Sequence, residues 1–302
     1  MANIVQHMRQ KQVIEKAYAK INLVLRVTGK RADGYHDLLT VFQSLALHDV
    51  LTFSQANPDE IILETNLPGL STAADNLVWR AAVKLKNFYG VREGVHIKLQ
   101  KNIPVAAGLG GGSSNAAAAL RGLLRFWRLP REWTVLQKIA VQLGSDVPFC
   151  LQGGTALGTG RGEKLRTLKP LPFFYVVLAN PGFAVSTAAV YQALGADEIE
   201  EGANISGMLQ AIEAGNRQDI ISHLSNTLEL PAFRLYPEIK TLKEEMEKTG
   251  AVALMSGSGA TVFALFTTKQ AATAAKAALE KKAQWVHLTK TYAGSGPEVN
   301  YV

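Results

Sequence analysis

The segment Pro104-Val-Ala-Ala-Gly-Leu-Gly-Gly-Gly-Ser-Ser-Asn115 limits more tightly than any other what this chain can fold into. Ahead of it, Val95, Ile97 and Leu99 alternate with His96, Lys98 and Gln100, the period of a strand. Behind it, an alanine-rich run predicts a helix over Ser113 to Arg128. Glycines at 108, 110, 111 and 112 let main-chain N–H groups converge with no side chains in the way. The helix start adds partial positive charge, so the expected occupant is an anion. Ser113 and Ser114 add hydroxyls suited to phosphate oxygens or a metal. A Walker loop is excluded because no Gly-Lys-Ser/Thr closes the segment. The dinucleotide fingerprint fails too, since the glycine spacing differs and no acidic residue lies about 20 positions on.

The remaining pattern mixes strands and helices. Ala17, Ala19, Ile21, Leu23, Leu25 and Val27 alternate with Tyr18, Lys20, Asn22 and Arg26, which predicts a strand carrying Lys20 and Asn22 on one face. Asp33-Gly34 signals a turn before the apolar run Leu38 to Leu47. Asp75 is the expected N-cap of a helix that Gly90 ends, and Trp133 to Leu143 reads as another, stopped by Gly144. Val147-Pro148 then predicts extended chain. Later come strands near Phe173–Leu178, Ala251–Leu254, Val262–Phe266 and Trp285–Leu288. Helices are expected near Thr187–Ala193, Gly207–Ala214, Pro237–Lys248 and Lys269–Lys282. The class is α+β in two apposed domains, divided as 1–165 and 166–302.

Composition excludes several functions. No run of eighteen apolar residues is present, so no membrane span is expected, and the opening MANIVQHMRQKQVIEK lacks the apolar core of a secretory signal. A lone Cys150 and scattered histidines offer neither a disulfide nor a zinc site, and suit a reducing cytoplasm. The net charge of +7 permits nucleic acid as a partner, but Lys and Arg are dispersed, which fits a small polyanion better.

The glycine segment resembles the phosphate-binding motif of the GHMP kinases. Ala19-Lys-Ile-Asn-Leu23 resembles their N-terminal motif, and Ser256-Gly-Ser-Gly-Ala-Thr261 their C-terminal glycine turn. Arg31-Ala-Asp-Gly-Tyr-His36 and Gly144-Ser-Asp-Val-Pro148 narrow the resemblance to the diphosphocytidyl-methylerythritol kinases of that superfamily. The resemblance implies a ribosomal-protein-like N-terminal domain, a ferredoxin-like C-terminal α/β sandwich and an active site between them. It implies ATP-dependent phosphorylation of the 2-hydroxyl of 4-diphosphocytidyl-2-C-methyl-D-erythritol, with Mg²⁺ accompanying ATP. The alternatives are a homoserine- or mevalonate-type kinase and, from another class, an RNA-binding protein.

On this reading Asp146 accepts the hydroxyl proton or acts electrostatically, and Lys20 stabilises the developing charge. Pro104, Ala106, Gly108, Gly110, Gly111, Gly112, Ser113 and Ser114 form the ATP loop, with Asn76 and Lys101 in the nucleotide pocket. Asn22, Tyr35, His36, Thr187 and Tyr191 face the substrate, the aromatic groups taking its cytosine. Ser256, Gly257, Ser258 and Gly259 close on the phosphate loop. No carboxylate stands out as a metal ligand. The substrate is a small molecule carrying cytidine diphosphate, and the protein itself is expected to be a monomer or homodimer.

Overall fold

The computed structural model describes residues 12–199 and 204–294. The first eleven residues, part of the stretch read for a secretory signal, lie outside these. The alternating segment around Ala17–Val27 is the centre of a long strand, β1 (Val13–Lys30). The Asp33-Gly34 turn reverses it into β2 (His36–Ala56). In that turn Asp33 Oδ1 accepts the Tyr35 N–H at 3.1 Å and Gly34 sits at φ +84°. The pair is antiparallel with three register shifts, at Tyr18/Lys20, Asn22/Val24 and Val27/Gly29.

The chain continues through β3 (Ile61–Thr65), α1 (Leu77–Tyr89), β4 (Gly94–Gln100) and α2 (Gly111–Phe126). Then follow α3 (Trp133–Leu143), α4 (Val147–Gln152), β5 (Thr155–Thr159) and β6 (Lys164–Thr167). Because β2 is so long, its far half pairs with β4 and its near half with β5 along the same edge. Two local expectations change. The N-cap of α1 is Asn76, whose Oδ1 accepts the Val78 N–H at 2.9 Å, while Asp75 is drawn to Ser71. Either residue type can cap, and the one whose oxygen reaches the second helical amide wins. Val147-Pro148 is also not extended: proline is accepted in the first turn of a helix, where its missing N–H costs nothing, and α4 starts there.

The second half contains β7 (Tyr175–Asn180), α5 (Thr187–Gln192), α6 (Ser206–Ala214), α7 (Arg217–Ser222), β8 (Ser225–Asn226) and α8 (Glu229–Leu235). It closes with α9 (Pro237–Glu247), β9 (Ala253–Met255), β10 (Val262–Phe266), α10 (Lys269–Leu279) and β11 (Trp285–Lys290). The order β11-β7-β10-β9 makes a second, antiparallel sheet, while β8 returns to pair in parallel with β1.

Both faces of this second sheet are covered, so its inner strands β7 and β10 carry unbroken apolar runs rather than alternating ones. Val177, Ala179, Val262 and Ala264 pack with Ile239 and Met246 of α9 and Ala275 of α10. Val176, Leu178, Phe263 and Leu265 face the other way, toward Ile21 and Leu23 of β1 and Met208 of α6. One strand thus threads three apolar clusters: Ala17 joins the helices α1–α4, Ile21 and Leu23 the middle layer, Leu25 and Val27 the far one. Among the described residues no helix is long and apolar enough to cross a membrane.

Helix α2 presses on β2 where Gly122 meets Phe53. A Cβ at 122 would come within 2.2 Å of the ring. Gly122→Ala is therefore expected to cost about 1–3 kcal/mol through overpacking. Denaturant unfolding checks this, and Phe53→Leu in the same chain should return part of the loss.

Candidate active site

The glycine loop between β4 and α2 is held by two main-chain hydrogen bonds and one serine hydroxyl. The Lys20 N–H of β1 donates to Leu109 O at 3.0 Å, and the Thr261 N–H donates to Ala107 O at 3.2 Å. Ser256 Oγ donates to Gly108 O at 2.9 Å. Gly108 has φ +76°, and a Cβ there would lie 2.1 Å from Ser256 O. Gly110, at φ +67° in the cap position of α2, would drive a Cβ to 2.8 Å from Lys20 Cγ. Glycine is required at both by conformation and by space.

That closeness puts Lys20 at the mouth of the loop. It is 4% exposed; its Nζ lies 3.2 Å from Asp146 Oδ2 and donates to Asn22 Oδ1 at 2.8 Å. Asn22 in turn donates to Thr40 Oγ1 at 2.8 Å, and Thr40 donates to Val24 O. Asp146 immediately precedes α4, yet its side chain accepts no capping hydrogen bond. Its carboxylate is left to face the ammonium. Gly257 stands over this pair, 3.4 Å from Lys20 Nζ if given a Cβ.

These groups open onto a cavity of about 950 Å³. Ala106, Gly108, Gly110, Gly111, Gly112 and Ser113 form one side. Lys20, Asn22 and Asp146 line it too, as do Tyr35, His36, Thr187 and Tyr191. Gly257 and Ser258 also line it, with Ser258 Oγ 2.8 Å from Thr187 Oγ1. His36 stacks on Tyr191, ring centroids 5.2 Å apart. Burial and then the Asp146 charge hold the Tyr191 phenol above its usual range. Burial, followed by Lys30, pushes the His36 imidazole below its ordinary value. Burial also pushes the Cys150 thiol up to about 12, with the Asp146 charge as second cause, so it stays protonated and unreactive near neutrality.

Six of the expected site residues do not line the cavity, each for a visible reason. Asn76 spends both ends of its amide locally, Oδ1 capping α1 and Nδ2 donating to Ser71 O in the preceding loop. Lys101 lies behind the loop, its Nζ paired with Asp49 and donating to Asn115 Oδ1 at 3.0 Å. Ser114 points inward and donates to Tyr18 O at 2.6 Å. Ser256 is spent on Gly108, Gly259 sits against Met255, and Pro104 precedes the loop's turn. Conversely, Lys30, Thr40, Phe42, Arg161 and Val185 line the cavity without having been singled out in sequence. Thr40 and Phe42 are on β2, and only its register against β1, Asn22 opposite Phe42, brings them there. No spacing rule signals that.

Comparison with known proteins follows the same lines. Residues 76–154 match the GHMP kinases N terminal domain and residues 208–284 the GHMP kinases C terminal domain. The 4-diphosphocytidyl-2-C-methyl-D-erythritol kinase of Caldicellulosiruptor bescii is 43% identical over 282 residues, 93% of this chain and 99% of the relative. That of Bacillus subtilis is 45% identical over 255 residues, 84% and 88%. This chain belongs to the 4-diphosphocytidyl-2-C-methyl-D-erythritol kinases of the GHMP superfamily. A solved 4-(cytidine 5'-diphospho)-2C-methyl-D-erythritol kinase superposes with a TM-score of 0.79 at 36% identity, covering 93% of this chain and all of that one. Homoserine kinase from Cytophaga hutchinsonii shares the fold, at TM-score 0.76 and 18% identity over 96% and 98% of the two chains. The family's members are ATP-dependent small-molecule kinases.

Behind the loop, Asp49 is fully buried and accepts from the N–H groups of Asn102 and Ile103 at 2.6 and 2.8 Å and from Asn115 Nδ2 at 2.7 Å, besides Lys101. Asp49→Ala is expected to cost about 3–5 kcal/mol, because it leaves an uncompensated ammonium and two orphaned amides. Chemical unfolding measures this, and Asp49→Ala with Lys101→Met together should cost less than Asp49→Ala alone.

The lowered His36 value carries a sign. Between the ordinary 6.5 and the folded value, the unfolded chain binds a proton at this residue that the folded chain does not. Stability therefore falls as pH drops through that window. The His36 ring, followed by NMR, should titrate below pH 6.5, the ordinary value.

Proposed function

We propose that this kinase transfers the γ-phosphoryl group of ATP to the 2-hydroxyl of 4-diphosphocytidyl-2-C-methyl-D-erythritol. The products are the 2-phosphate and ADP, a step of the mevalonate-independent route to isopentenyl diphosphate. The observation that carries the reading is the Lys20–Asp146 pair at 3.2 Å, set against the glycine arch at one end of a substrate-sized cavity. Phosphoryl transfer asks little covalent chemistry of a protein and depends on position and field.

The triphosphate rests on the main-chain amides of 108–113 at the positive start of α2. Asp146 accepts the proton of the attacking hydroxyl, and Lys20, paired with that carboxylate, offsets charge on the phosphoryl oxygens. Asn22 fixes the Lys20 ammonium by its 2.8 Å hydrogen bond and is itself oriented by Thr40. The cytosine takes the aromatic end, where Tyr35, His36 and Tyr191 offer flat faces and a neutral imidazole.

Among the described residues no cluster of three or more His, Cys, Asp or Glu is placed to hold a metal ion. Mg²⁺ would be held by the nucleotide's phosphates with Ser113 Oγ as a hard oxygen donor, and when bound it neutralises β- and γ-phosphate charge. Tyr35 and His36 favour a cytidyl acceptor over homoserine or mevalonate, which carry no base.

Two variants and a panel test this. Asp146→Asn should keep ATP binding within about threefold while kcat falls by about 10³ or more. Gly111→Asp should abolish ATP binding, because its Cβ would press on Ile103 at 3.1 Å and its carboxylate would compete with Asp49 for Lys101, displacing the loop. In a substrate panel the purified protein should phosphorylate the cytidyl alcohol; turnover of homoserine or mevalonate instead would reject the assignment.

A further inference from the structure

Arg161 sits in a four-residue turn between β5 and β6, with positive-φ glycines on either side, at 160 and 162. The turn is pinned from three directions. Leu38 N–H donates to Gly160 O at 2.6 Å. Glu163 Oε2 accepts the Arg161 main-chain N–H at 2.6 Å. Gly162 packs on Phe42, a Cβ there falling 3.3 Å from the ring. Phe42 is also the ring over which Lys20 Nζ rests, 5.7 Å from its centroid. The turn is thereby tied to the reacting end of the cavity.

The guanidinium of Arg161 lies over the Tyr35 ring, 4.9 Å from its centroid, and both line the cavity. Tyr35 is 55% exposed, so this stack forms part of the cavity's open rim. Among the described residues no hydrogen bond or ion pair engages the guanidinium, although the Asp33 carboxylate lies within electrostatic range of it. The acidic neighbours are occupied: Asp33 is gripped by Arg31 through contacts of 3.1 Å, and Glu163 by the Arg161 main chain. A half-buried arginine with its planar fork free, held against an aromatic face, is arranged for a phosphate or carboxylate that binds bidentately.

We propose that Arg161 is a specificity-determining residue that grips the diphosphate of the acceptor, stacked on Tyr35 between the base end and the Lys20–Asp146 end of the cavity. This rests on the function proposed above and adds to it a residue outside its motifs. With its base at Tyr35, His36 and Tyr191 and its alcohol at Asp146, the acceptor must carry its phosphates between these groups, next to a guanidinium that rests on Tyr35. Arg161 lines the same cavity with its guanidinium uncommitted to any hydrogen bond, whereas Lys20 is engaged by Asp146 and Asn22. Discrimination would then come from the diphosphate as well as from the base.

The test uses the full chain, with CDP and cytidine as probes in equilibrium binding and with steady-state kinetics on the cytidyl alcohol. Arg161→Ala should weaken CDP about 10- to 100-fold and raise KM for the cytidyl alcohol to match. Cytidine affinity and KM for ATP should stay within about twofold, kcat within about threefold, and the melting temperature should not move. Arg161→Lys should recover part of the CDP affinity, because charge remains while the fork is lost.

A CDP-to-cytidine ratio unchanged in Arg161→Ala overturns the proposal. So does an equal loss of both ligands, since that would mean the side chain merely props Tyr35. If the wild-type chain does not phosphorylate the cytidyl alcohol at all, both readings fall. Turnover with an unchanged ratio removes only the role of Arg161.

Discussion

Main chain packed directly on main chain around residues 107–110 is the constraint from which the rest of the molecule follows. The main chain of β1 donates from Lys20 to Leu109, and the turn before β10 donates from the Thr261 N–H to Ala107 and from the Ser256 hydroxyl to Gly108. Such proximity leaves no room for a β-carbon at Gly108 or Gly110. Backbone from three distant stretches of sequence therefore meets at a bare loop, whose outward N–H groups remain for an anion. The apolar layer holding these stretches in place runs along β1, which contributes to every large cluster of the interior.

The polar groups divide by depth. Beneath the loop, Asp49, Lys101 and Asn115 satisfy one another and two backbone amides, so their charges are spent on holding the end of β4 to the start of α2. Above it, Lys20 and Asp146 face each other with the carboxylate partly open to the cavity. A buried ion pair contributes little net stability but strongly penalises loss of one partner. The lower network thus suits support and the upper one chemistry. At the far end the stacked His36 and Tyr191, both kept neutral, offer an uncharged surface on which a base can lie.

Much of this was legible in the chain itself. The strand carrying Lys20 and Asn22 on one face, the turn at Asp33-Gly34 and the glycine loop before an alanine-rich helix all depend on neighbours within a few residues, where periodicity and turn chemistry act. Asp146 was legible by motif, although its local conformation was not: proline opens a helix there instead of prolonging an extended segment. Asn76, Lys101 and Ser114 carried the right chemistry for a nucleotide site, yet each turns its polar atoms into the protein. Residue type cannot reveal which way a side chain faces when a helix cap or a buried carboxylate competes for it.

By itself the sequence determined the kind of chemistry: an anion cradle of glycines, a carboxylate and an ammonium in ordered motifs, and aromatic groups beside a tight turn. Only the tertiary structure decided which groups share one cavity. Lys20, Phe42, Asp146, Arg161, Tyr191 and Gly257 come from six separate stretches of chain. They meet because the β1–β2 register, the return of β8 to β1 and the packing of the second sheet on β1 close long loops. That closure is driven by non-directional burial of apolar surface, whose pairing partners lie far apart in the chain and leave no local trace.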